Sequence, residues 1–371
     1  MSLECDRLNG INLSQGVCDT EVPAAVARGA RDAIREGHNT YTAHTGIVEL
    51  RDTIARKIRT HYGLEVDAEN ELVVSAGATG AFYSACMALC DPGDEIVLFE
   101  PFYGYHLSTI GATGLKPKFV SMAPPDWTFR MEDLAAAIGP RTRGIMICTP
   151  ANPSGKVWSE AELRTVGQLA IERGLWIFTD EIYEHFVYGG RRHICPATMP
   201  GLRQRTIAIS GLSKTLSITG WRIGYSVSDA SWATAIGYFS DLIYVCAPAP
   251  LQAGVARGLA QMDRAYFDRL SCQYRVKRDK LCSALRAAGM EPYVPQGAYY
   301  ILANTENIPG RTPKDRAMFL LENAGVASVP GDAFYHARGG ENLARFCFAK
   351  QDAVLDEACR RLEKFALVGA R

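Results

Sequence analysis

The segment Ser210-Gly-Leu-Ser-Lys-Thr-Leu-Ser-Ile-Thr-Gly-Trp-Arg-Ile-Gly-Tyr225 places Lys214 and Arg222 between two apolar runs that have the character of strands. Lysine shifts its pKa readily when it is buried, and its neutral amine can form a Schiff base. Arginine stays charged, and its planar fork suits a phosphate or a carboxylate. Because most lysines and arginines are surface charges, a functional interpretation of this segment depends on what the rest of the chain carries.

A regular alternation of strand and helix patterns surrounds this segment. Strand-like apolar runs occur at Glu71–Ser75, Glu95–Phe99, Pro117–Ser121, Gly144–Cys148, Leu175–Thr179, Thr206–Ser210 and Ile223–Val227. Helical patterns between them occur at Thr79–Leu89, Tyr105–Gly111, Met131–Ala137 and Glu160–Arg173. The alternation predicts an α/β fold with a mostly parallel seven-stranded sheet flanked by helices. Ligands of such sheets bind beyond the carboxyl ends of the strands.

The length and the later part of the pattern indicate two domains. A chain of 371 residues is longer than a single hydrophobic core usually serves. A long polar helix is predicted from Asp263 to Ala288, and the strands and helices of a second, smaller α/β unit follow it. We expect residues 38–275 to form the large domain, and residues 1–37 and 276–371 to form the small domain together.

The composition argues against several classes of partner. Lys plus Arg and Asp plus Glu number 40 each, so the formal charge of zero gives no sign of nucleic acid or an anionic membrane as a partner. The sequence has no apolar run long enough for a transmembrane helix and no signal core at its N-terminus. Eleven cysteines without a CxxC pair fit reduced thiols and a cytoplasmic location. We expect no metal site, since the sequence has no ligand set with metal-site spacing.

Residues suited to ligand binding follow several of the predicted strands. Gly77-Ala-Thr79 opens a helix after a strand, where backbone amides can cradle a phosphate. Tyr103 could stack on a flat ring, and Asn152 lies in a Pro/Gly-rich turn. Asp180 ends a buried strand, where a carboxylate is costly without a cationic partner. Arg345 lies inside an apolar strand and is best explained by an anion that it must meet. Each motif alone also has an ordinary structural explanation.

Together these motifs resemble the class I and II aminotransferases, which are pyridoxal-phosphate-dependent enzymes of fold type I, over residues 10–365. The resemblance rests on the order and spacing of Gly16, Tyr41, Gly77-Ala-Thr79, Tyr103, Asn152-Pro, Asp180-Glu-Ile-Tyr183, Lys214, Arg222 and Arg345. It implies an enzyme that moves the amino group of an L-amino acid to a 2-oxo acid by a ping-pong mechanism. Aspartate-type, aromatic and broad specificity all stay open. It also implies a homodimer with the active site at the interface.

The resemblance implies a role for each residue of this set. Lys214 would form a Schiff base with pyridoxal phosphate and shuttle the substrate proton, and Asp180 would pair with the pyridine nitrogen. Tyr183 and Asn152 would hydrogen-bond the ring oxygen, and Tyr103 would stack on the ring. The implied phosphate ligands are Gly77, Ala78, Thr79, Ser213, Arg222 and, from the second subunit, Tyr41. The implied ligands of the substrate, chiefly of its carboxylate, are Arg345, Gly16 and Asn152.

Three alternatives deserve comparison with this interpretation. A C–S β-lyase or a related fold type I enzyme uses the same lysine and aspartate, so the motifs do not separate it from an aminotransferase. A non-catalytic regulatory module that binds pyridoxal phosphate would carry a basic DNA-binding domain, of which the sequence shows no sign. A nicotinamide dehydrogenase would need a glycine fingerprint that the sequence lacks, and it would leave Lys214, Asp180 and Arg345 unexplained.

Overall fold

The computed structural model describes residues 1–369, and within that range the chain forms thirteen strands, twelve α-helices and four short 3-10 helices. The strands are β1 Ile11–Asn12, β2 Leu72–Ala76, β3 Glu95–Glu100, β4 Lys116–Ser121, β5 Thr142–Cys148, β6 Trp176–Asp180, β7 Thr206–Gly211, β8 Ile223–Val227, β9 Glu291–Tyr293, β10 Tyr300–Asn304, β11 Val326–Ala327, β12 Val329–Pro330 and β13 Leu343–Cys347. The helices are α1 Ser2–Arg7, α2 Ala24–Arg35, α3 Val48–Tyr62, α4 Gly77–Leu89, α5 Gly104–Ala112, α6 Met131–Ala137, α7 Glu160–Arg173, α8 Ala230–Tyr244, α9 Ala249–Leu259, α10 Arg264–Ala287, α11 Pro313–Ala324 and α12 Asp352–Gly369.

Seven strands form one sheet in the order β2-β8-β7-β6-β5-β3-β4. The neighbours from β7 to β4 are parallel, and β8 is antiparallel to both β2 and β7. The predicted α/β fold with a mostly parallel seven-stranded sheet is therefore confirmed. The central strands are apolar on both faces because helices cover both. Ile147 and Ile177 pack on the side of α7, whereas Met146 and Phe178 pack on the side of α4 and α8.

A second sheet has the order β12-β13-β10-β9 and is antiparallel throughout. Strands β10 and β13 share one hydrophobic core with α10, α11 and α12, which includes Leu285, Leu320, Leu355, Ile301 and Phe346. This sheet with α10, α11 and α12 makes up the smaller unit, and its elements follow the order that the sequence predicts after the long helix. Strand β1 pairs in parallel with β11, so the N-terminal segment is joined to this unit by backbone hydrogen bonds.

Helix α2 of the same N-terminal segment lies instead against α9. Gly254 and Gly258 of α9 permit this close approach, because a Cβ on them would lie 2.7 Å and 2.8 Å from the Cα atoms of Ala30 and Val26. The N-terminal segment thus contacts α9 as well as the smaller unit. The division of the chain into residues 38–275 and the remainder stays a prediction.

The sequence patterns located the strands of the large sheet well and some helices poorly. Each of the seven strands begins and ends within two residues of its predicted position. Helices α1, α8 and α9 and strand β9 were not predicted, whereas α6 and α7 have the predicted bounds. Among residues 1–369, no helix has both the length and the apolar character that a membrane span requires.

Candidate active site

A cavity of about 440 Å³ lies at the carboxyl ends of β5, β6 and β7, a volume that suits a small organic ligand. Nine of the thirteen predicted site residues line it, namely Ala78, Thr79, Tyr103, Asn152, Asp180, Tyr183, Ser213, Lys214 and Arg222. Gly16, Gly77 and Arg345 contact residues of this lining. Tyr41 does not line the cavity and is 81% exposed. The sheet brings the lining together because parallel strands end at the same edge.

One end of the cavity has the character of an anion site. Helix α4 begins there at Gly77, and among the described residues no side chain caps the amides of its first turn. The guanidinium of Arg222 lies so close to Gly77 that a Cβ on this glycine would overlap it. Thr79 and Ser213 also line this end. A helix N-terminus beside a guanidinium and hydroxyl groups is a favourable environment for a phosphate.

Lys214 follows β7 and extends its amine toward the N-terminal segment. Its Nζ donates a hydrogen bond of 3.1 Å to the carbonyl oxygen of Gly16 and lies 5.7 Å from the centre of the Tyr299 ring. Burial lowers the pKa of Lys214 below the usual value, and the nearby charge of Arg222 acts in the same direction. The amine is therefore neutral in a larger fraction of molecules than an exposed lysine would be, as a nucleophilic amine requires.

Asp180 ends β6 and is held from two sides. Its Oδ1 accepts a hydrogen bond of 3.2 Å from the backbone N–H of Ile182, and its Oδ2 lies 2.9 Å from Nε2 of His106. Both Asp180 and His106 are buried. The contacts fix the carboxylate at the floor of the cavity, where it can meet a cationic ring nitrogen of a ligand.

Arg345 of β13 is buried beside Asn152. One guanidinium N–H donates to Oδ1 of Asn152 at 2.9 Å, and a second donates to the carbonyl oxygen of Ser14 at 2.7 Å. The Nε–H is buried without a partner among the described residues. Aromatic rings lie near the guanidinium, with Tyr300 at 4.4 Å and Phe334 at 5.0 Å. A buried cation with an unused donor is suited to bind an anion such as a carboxylate.

Two tyrosines complete the predicted set. Tyr183 is buried, and burial raises the pKa of its hydroxyl well above the usual value, so the hydroxyl stays protonated and can donate. Its Oη lies 3.1 Å from Oη of Tyr300. Tyr103 directly precedes α5, and its ring stacks on Tyr105 with a centroid distance of 5.3 Å. Tyr103 thus contributes a flat aromatic face to the cavity lining.

Some contacts in the site were not predicted from the sequence. His106 lies three residues after Tyr103, which directly precedes α5, and their ring centroids are 5.2 Å apart, so this spacing is a signal that could have revealed His106. Tyr300 and the Ser14 carbonyl contact predicted site residues only through the packing of distant segments. No local pattern in the sequence indicates those contacts.

Comparisons with known proteins agree with this geometry. A model of the family described as aminotransferase class I and II matches residues 9–362. The chain is 34% identical to a probable N-succinyldiaminopimelate aminotransferase, DapC, of Mycobacterium tuberculosis, over 99% of this chain and 95% of that protein. It is 32% identical to a kynurenine–oxoglutarate transaminase of Dictyostelium discoideum, over 96% of this chain and 91% of that one.

A solved structure gives the same result. The crystal structure of YbdL from Escherichia coli, identified as a methionine aminotransferase, superimposes with a TM-score of 0.94 at 31% identity and covers 98% of this chain and 95% of that one. The fold and the cavity therefore define an α/β enzyme of fold type I. The chain belongs to the class I and II aminotransferases, and the resemblance seen in the sequence is confirmed.

Proposed function

We propose that this aminotransferase binds pyridoxal 5′-phosphate in the cavity and transfers the amino group of an L-amino acid to a 2-oxo acid by a ping-pong mechanism. The observation behind this proposal is the placement of Lys214, Asp180 and Arg222 around one cavity. An amine, a carboxylate and a guanidinium match the aldehyde, the pyridine nitrogen and the phosphate of this cofactor. The residues present therefore fit the cofactor that the family implies.

The contacts of the cofactor follow from the groups that the cavity presents. The free amides at the start of α4, including Gly77 and Ala78, would bind the phosphate with Arg222. The hydroxyl groups of Thr79 and Ser213 would add further donors. Asn152 and Tyr183 would donate to the ring oxygen, and Tyr103 would cover one face of the ring. Asp180, held by His106, would keep the ring nitrogen protonated.

The chemistry divides between the cofactor and the chain. When it is bound, the cofactor supplies an electron sink for the electrons left when the Cα–H bond of the substrate breaks. Lys214 would take the proton from Cα of the substrate and deliver it to C4′ of the cofactor, and its lowered pKa favours the neutral amine that a general base requires. Burial of the site excludes water from this transfer and strengthens the electrostatic contacts.

The substrate carboxylate would bind to Arg345. This guanidinium has an unused buried donor, and its contact with Asn152 connects the carboxylate site to the cofactor site. The backbone of Gly16 would close over the substrate, since its carbonyl accepts hydrogen bonds from Lys214 and from the Tyr299 hydroxyl at 3.0 Å. Contacts from Arg345 to the carboxylate and from Gly16 over the substrate would hold it in one orientation, which aligns the Cα–H bond for proton removal.

We propose aromatic and other large neutral amino acids as donors. Phe82, Tyr103 and Tyr105 give the cavity wall aromatic surface, and aromatic rings also flank Arg345. Among the described residues that line the cavity, Lys214 and Arg222 carry the positive charges, and both already have roles. An acidic side chain on the substrate would find no further cation in this lining, which argues against aspartate-type specificity. Relatives named for kynurenine and methionine fit this choice.

A homodimer is part of the proposal. Tyr238, Leu242 and Ile243 of α8 are 59%, 62% and 49% exposed, and Tyr41 is more exposed still. The segment after Tyr41 reaches the end of α8, since the backbone N–H of Thr42 contacts Sγ of Cys246 at 3.5 Å. An apolar patch of this kind indicates a protein interface. In a twofold dimer, Tyr41 of one subunit would bind the phosphate in the other.

We also propose a cytoplasmic location. All eleven cysteines lie in the described part of the chain as free thiols, and most are buried. Unpaired thiols in this number suit a reducing compartment. Alkylation of thiols at the moment of cell lysis, followed by mass spectrometry, should find all eleven in the reduced form. A disulfide found by this procedure would contradict the proposed location.

Visible absorption spectra with bound cofactor test the function. The purified protein is loaded with pyridoxal phosphate and mixed singly with L-phenylalanine, L-tyrosine, L-methionine, L-kynurenine and L-aspartate. The proposal predicts that an aromatic amino acid or methionine abolishes the visible band and that a 2-oxo acid restores it. A band unaffected by every donor would contradict amino transfer. Release of ammonia and pyruvate from a cysteine S-conjugate, without any need for a 2-oxo acid, would indicate the β-lyase instead.

A further inference from the structure

Tyr300 is a buried residue at the meeting point of three parts of the site. It begins β10 and is paired with Cys347 of β13, so that Arg345 lies diagonally across the two strands. Diagonal neighbours on one face of an antiparallel pair are within reach of long side chains. The guanidinium of Arg345 accordingly lies 4.4 Å from the centre of the Tyr300 ring. The ring supports the cation that would bind the substrate carboxylate.

The hydroxyl of Tyr300 points toward Tyr183. The two Oη atoms are 3.1 Å apart, and the two rings meet nearly at right angles, at 83°. Each hydroxyl has one proton to donate. The distance allows either hydroxyl to donate, and donation by Tyr300 leaves the proton of Tyr183 available for a ligand in the cavity.

The same hydroxyl also borders Gly16. A Cβ on Gly16 would overlap Oη of Tyr300 and would lie 2.8 Å from its Cζ. The N-terminal segment can therefore approach the cavity only because this position has no side chain. Tyr300 thus contacts the Tyr183 hydroxyl, the Arg345 guanidinium and the Gly16 backbone with one side chain.

We propose that Tyr300 is a positioning residue for amino transfer: its hydroxyl donates to Tyr183 and so directs the Tyr183 proton to the cofactor ring oxygen, while its ring holds Arg345 in place. The proposal rests on the function proposed above. The hydrogen bond from Tyr300 polarises the Tyr183 hydroxyl and makes it a stronger donor, as in other chains of hydrogen bonds. The hydroxyl therefore acts on Tyr183 and the ring acts on Arg345. Tyr300→Phe and Tyr300→Leu test these two roles separately.

Tyr300→Phe removes the hydroxyl and keeps the ring. We expect the titration of the visible absorption of the bound cofactor to move to higher pH by roughly one unit or less, because a weaker donor stabilises the deprotonated cofactor less. The affinity of the apoenzyme for pyridoxal phosphate should fall several-fold. Tyr188→Phe is the matched control, since Tyr188 is also buried and donates at 2.6 Å to the carbonyl of Ala298. It should leave the titration unchanged.

A double substitution shows whether Tyr300 acts through Tyr183. Tyr183→Phe alone should raise the titration midpoint by more than Tyr300→Phe does. The pair Tyr183→Phe and Tyr300→Phe should then match Tyr183→Phe alone, because the second hydroxyl has no partner left to direct. Additive shifts would show that Tyr300 acts independently and would overturn the proposal.

Tyr300→Leu tests the ring. Loss of the ring should raise KM for the amino donor at least several-fold, whereas Tyr300→Phe should change this KM little. An equal rise in KM for both variants would contradict the separation of tasks. A wild-type protein without a visible band in the presence of pyridoxal phosphate would refute the proposed function itself. A normal wild-type titration that Tyr300→Phe leaves unchanged would refute only the role of Tyr300.

Discussion

At the scale of single residues, Arg345 is the clearest candidate for binding an anion. It is buried between two aromatic rings, and its Nε–H has no partner in the described part of the chain. Arg345→Met should lower kcat/KM for the amino donor by roughly 30-fold or more, because a buried charge contact is typically worth a few kcal/mol. Steady-state kinetics measure this effect. Arg164→Met, on the exposed face of α7, is the control, and equal values for both variants would contradict the assignment.

Replacement of Gly77 should weaken binding at the anion site of the cavity, where α4 begins beside Arg222. Its φ is +74°, and a Cβ would overlap the Arg222 guanidinium. Gly77→Ala should therefore weaken binding of pyridoxal phosphate at least several-fold and destabilise the fold by about 1 kcal/mol. Equilibrium titration of the apoenzyme measures the affinity. Gly111→Ala in α5 meets open space and should leave it unchanged; an unaltered affinity in Gly77→Ala would argue against a phosphate at this helix end.

How far the sequence predicts the site depends on the kind of contact. Lys214, Asp180 and Asn152 were predicted because each lies just after a recognisable strand, and strand ends meet at one edge. His106 and Tyr300 contact Asp180 and Tyr183 across separate elements. Such contacts depend on side-chain packing between segments that are 74 and 117 residues apart. The spacing from Tyr103 indicates that His106 lies near the site, but no sequence pattern indicates its contact with Asp180 or the contact of Tyr300 with Tyr183.

At the scale of elements, a buried ion pair supports the segment that carries Asp180. Lys57 of α3 lies 2.5 Å from Glu184, and both side chains are 3% exposed. Tyr62, Tyr225 and Ser210 also contact the Glu184 carboxylate. Burial alone would raise the pKa of Glu184, but the Lys57 ammonium outweighs burial and holds this pKa well below the usual range. At pH values above the unfolded pKa of Glu184, the pair therefore contributes its full stability. This contribution is lost as the pH falls through the folded pKa.

Removal of the cation should reverse this pH dependence. In Lys57→Met, burial without a partner raises the pKa of Glu184, so the free energy of unfolding should fall as pH rises. We expect a loss on the order of 3–5 kcal/mol at pH 8 and a smaller loss at pH 5. Urea unfolding at both pH values measures it. Adding Glu184→Gln should abolish the difference between the two pH values, and an equal loss at both in Lys57→Met would contradict the buried pair.

For two of the helices that were not predicted from the sequence, there is a physical reason. Helix α9 contains Gly254 and Gly258, which have low helix propensity, and its helical state depends on the close packing of α2 that these glycines permit. Helix α1 has only six residues, which is too short for a periodic pattern. The central strands of the large sheet were predictable because burial on both faces makes them largely apolar runs.

At the scale of the whole molecule, the exposed face of α8 should decide whether the protein is a dimer. Leu242→Asp introduces a charge at a position that is 62% exposed in the single chain. The variant should sediment as a monomer in analytical ultracentrifugation at concentrations where the parent is a dimer, because an interface buries this charge. Its affinity for pyridoxal phosphate should fall as well, through loss of the partner's Tyr41. A Thr165→Asp control on the exposed face of α7, away from the proposed interface, tests the effect of charge alone.

A monomeric parent protein that binds the cofactor and is fully active would contradict the dimer and the proposed role of Tyr41. It would leave the fold and the family unaffected, because those rest on the sheet, the family match and the solved structures. The dimer interface and the cofactor contacts involve a second chain and a ligand, so the periodicity of one sequence does not determine them.

The most direct measurement is the identification of the lysine that carries the cofactor. The protein is loaded with pyridoxal phosphate, reduced with borohydride to fix any Schiff base, digested and analysed by mass spectrometry. We predict that the reduced cofactor is attached to Lys214, and that Lys214→Ala has neither the attachment nor detectable turnover, whereas Lys116→Ala retains both. Attachment to another lysine, or no attachment in a correctly folded protein, would contradict the assignment of Lys214 and of the cavity around it.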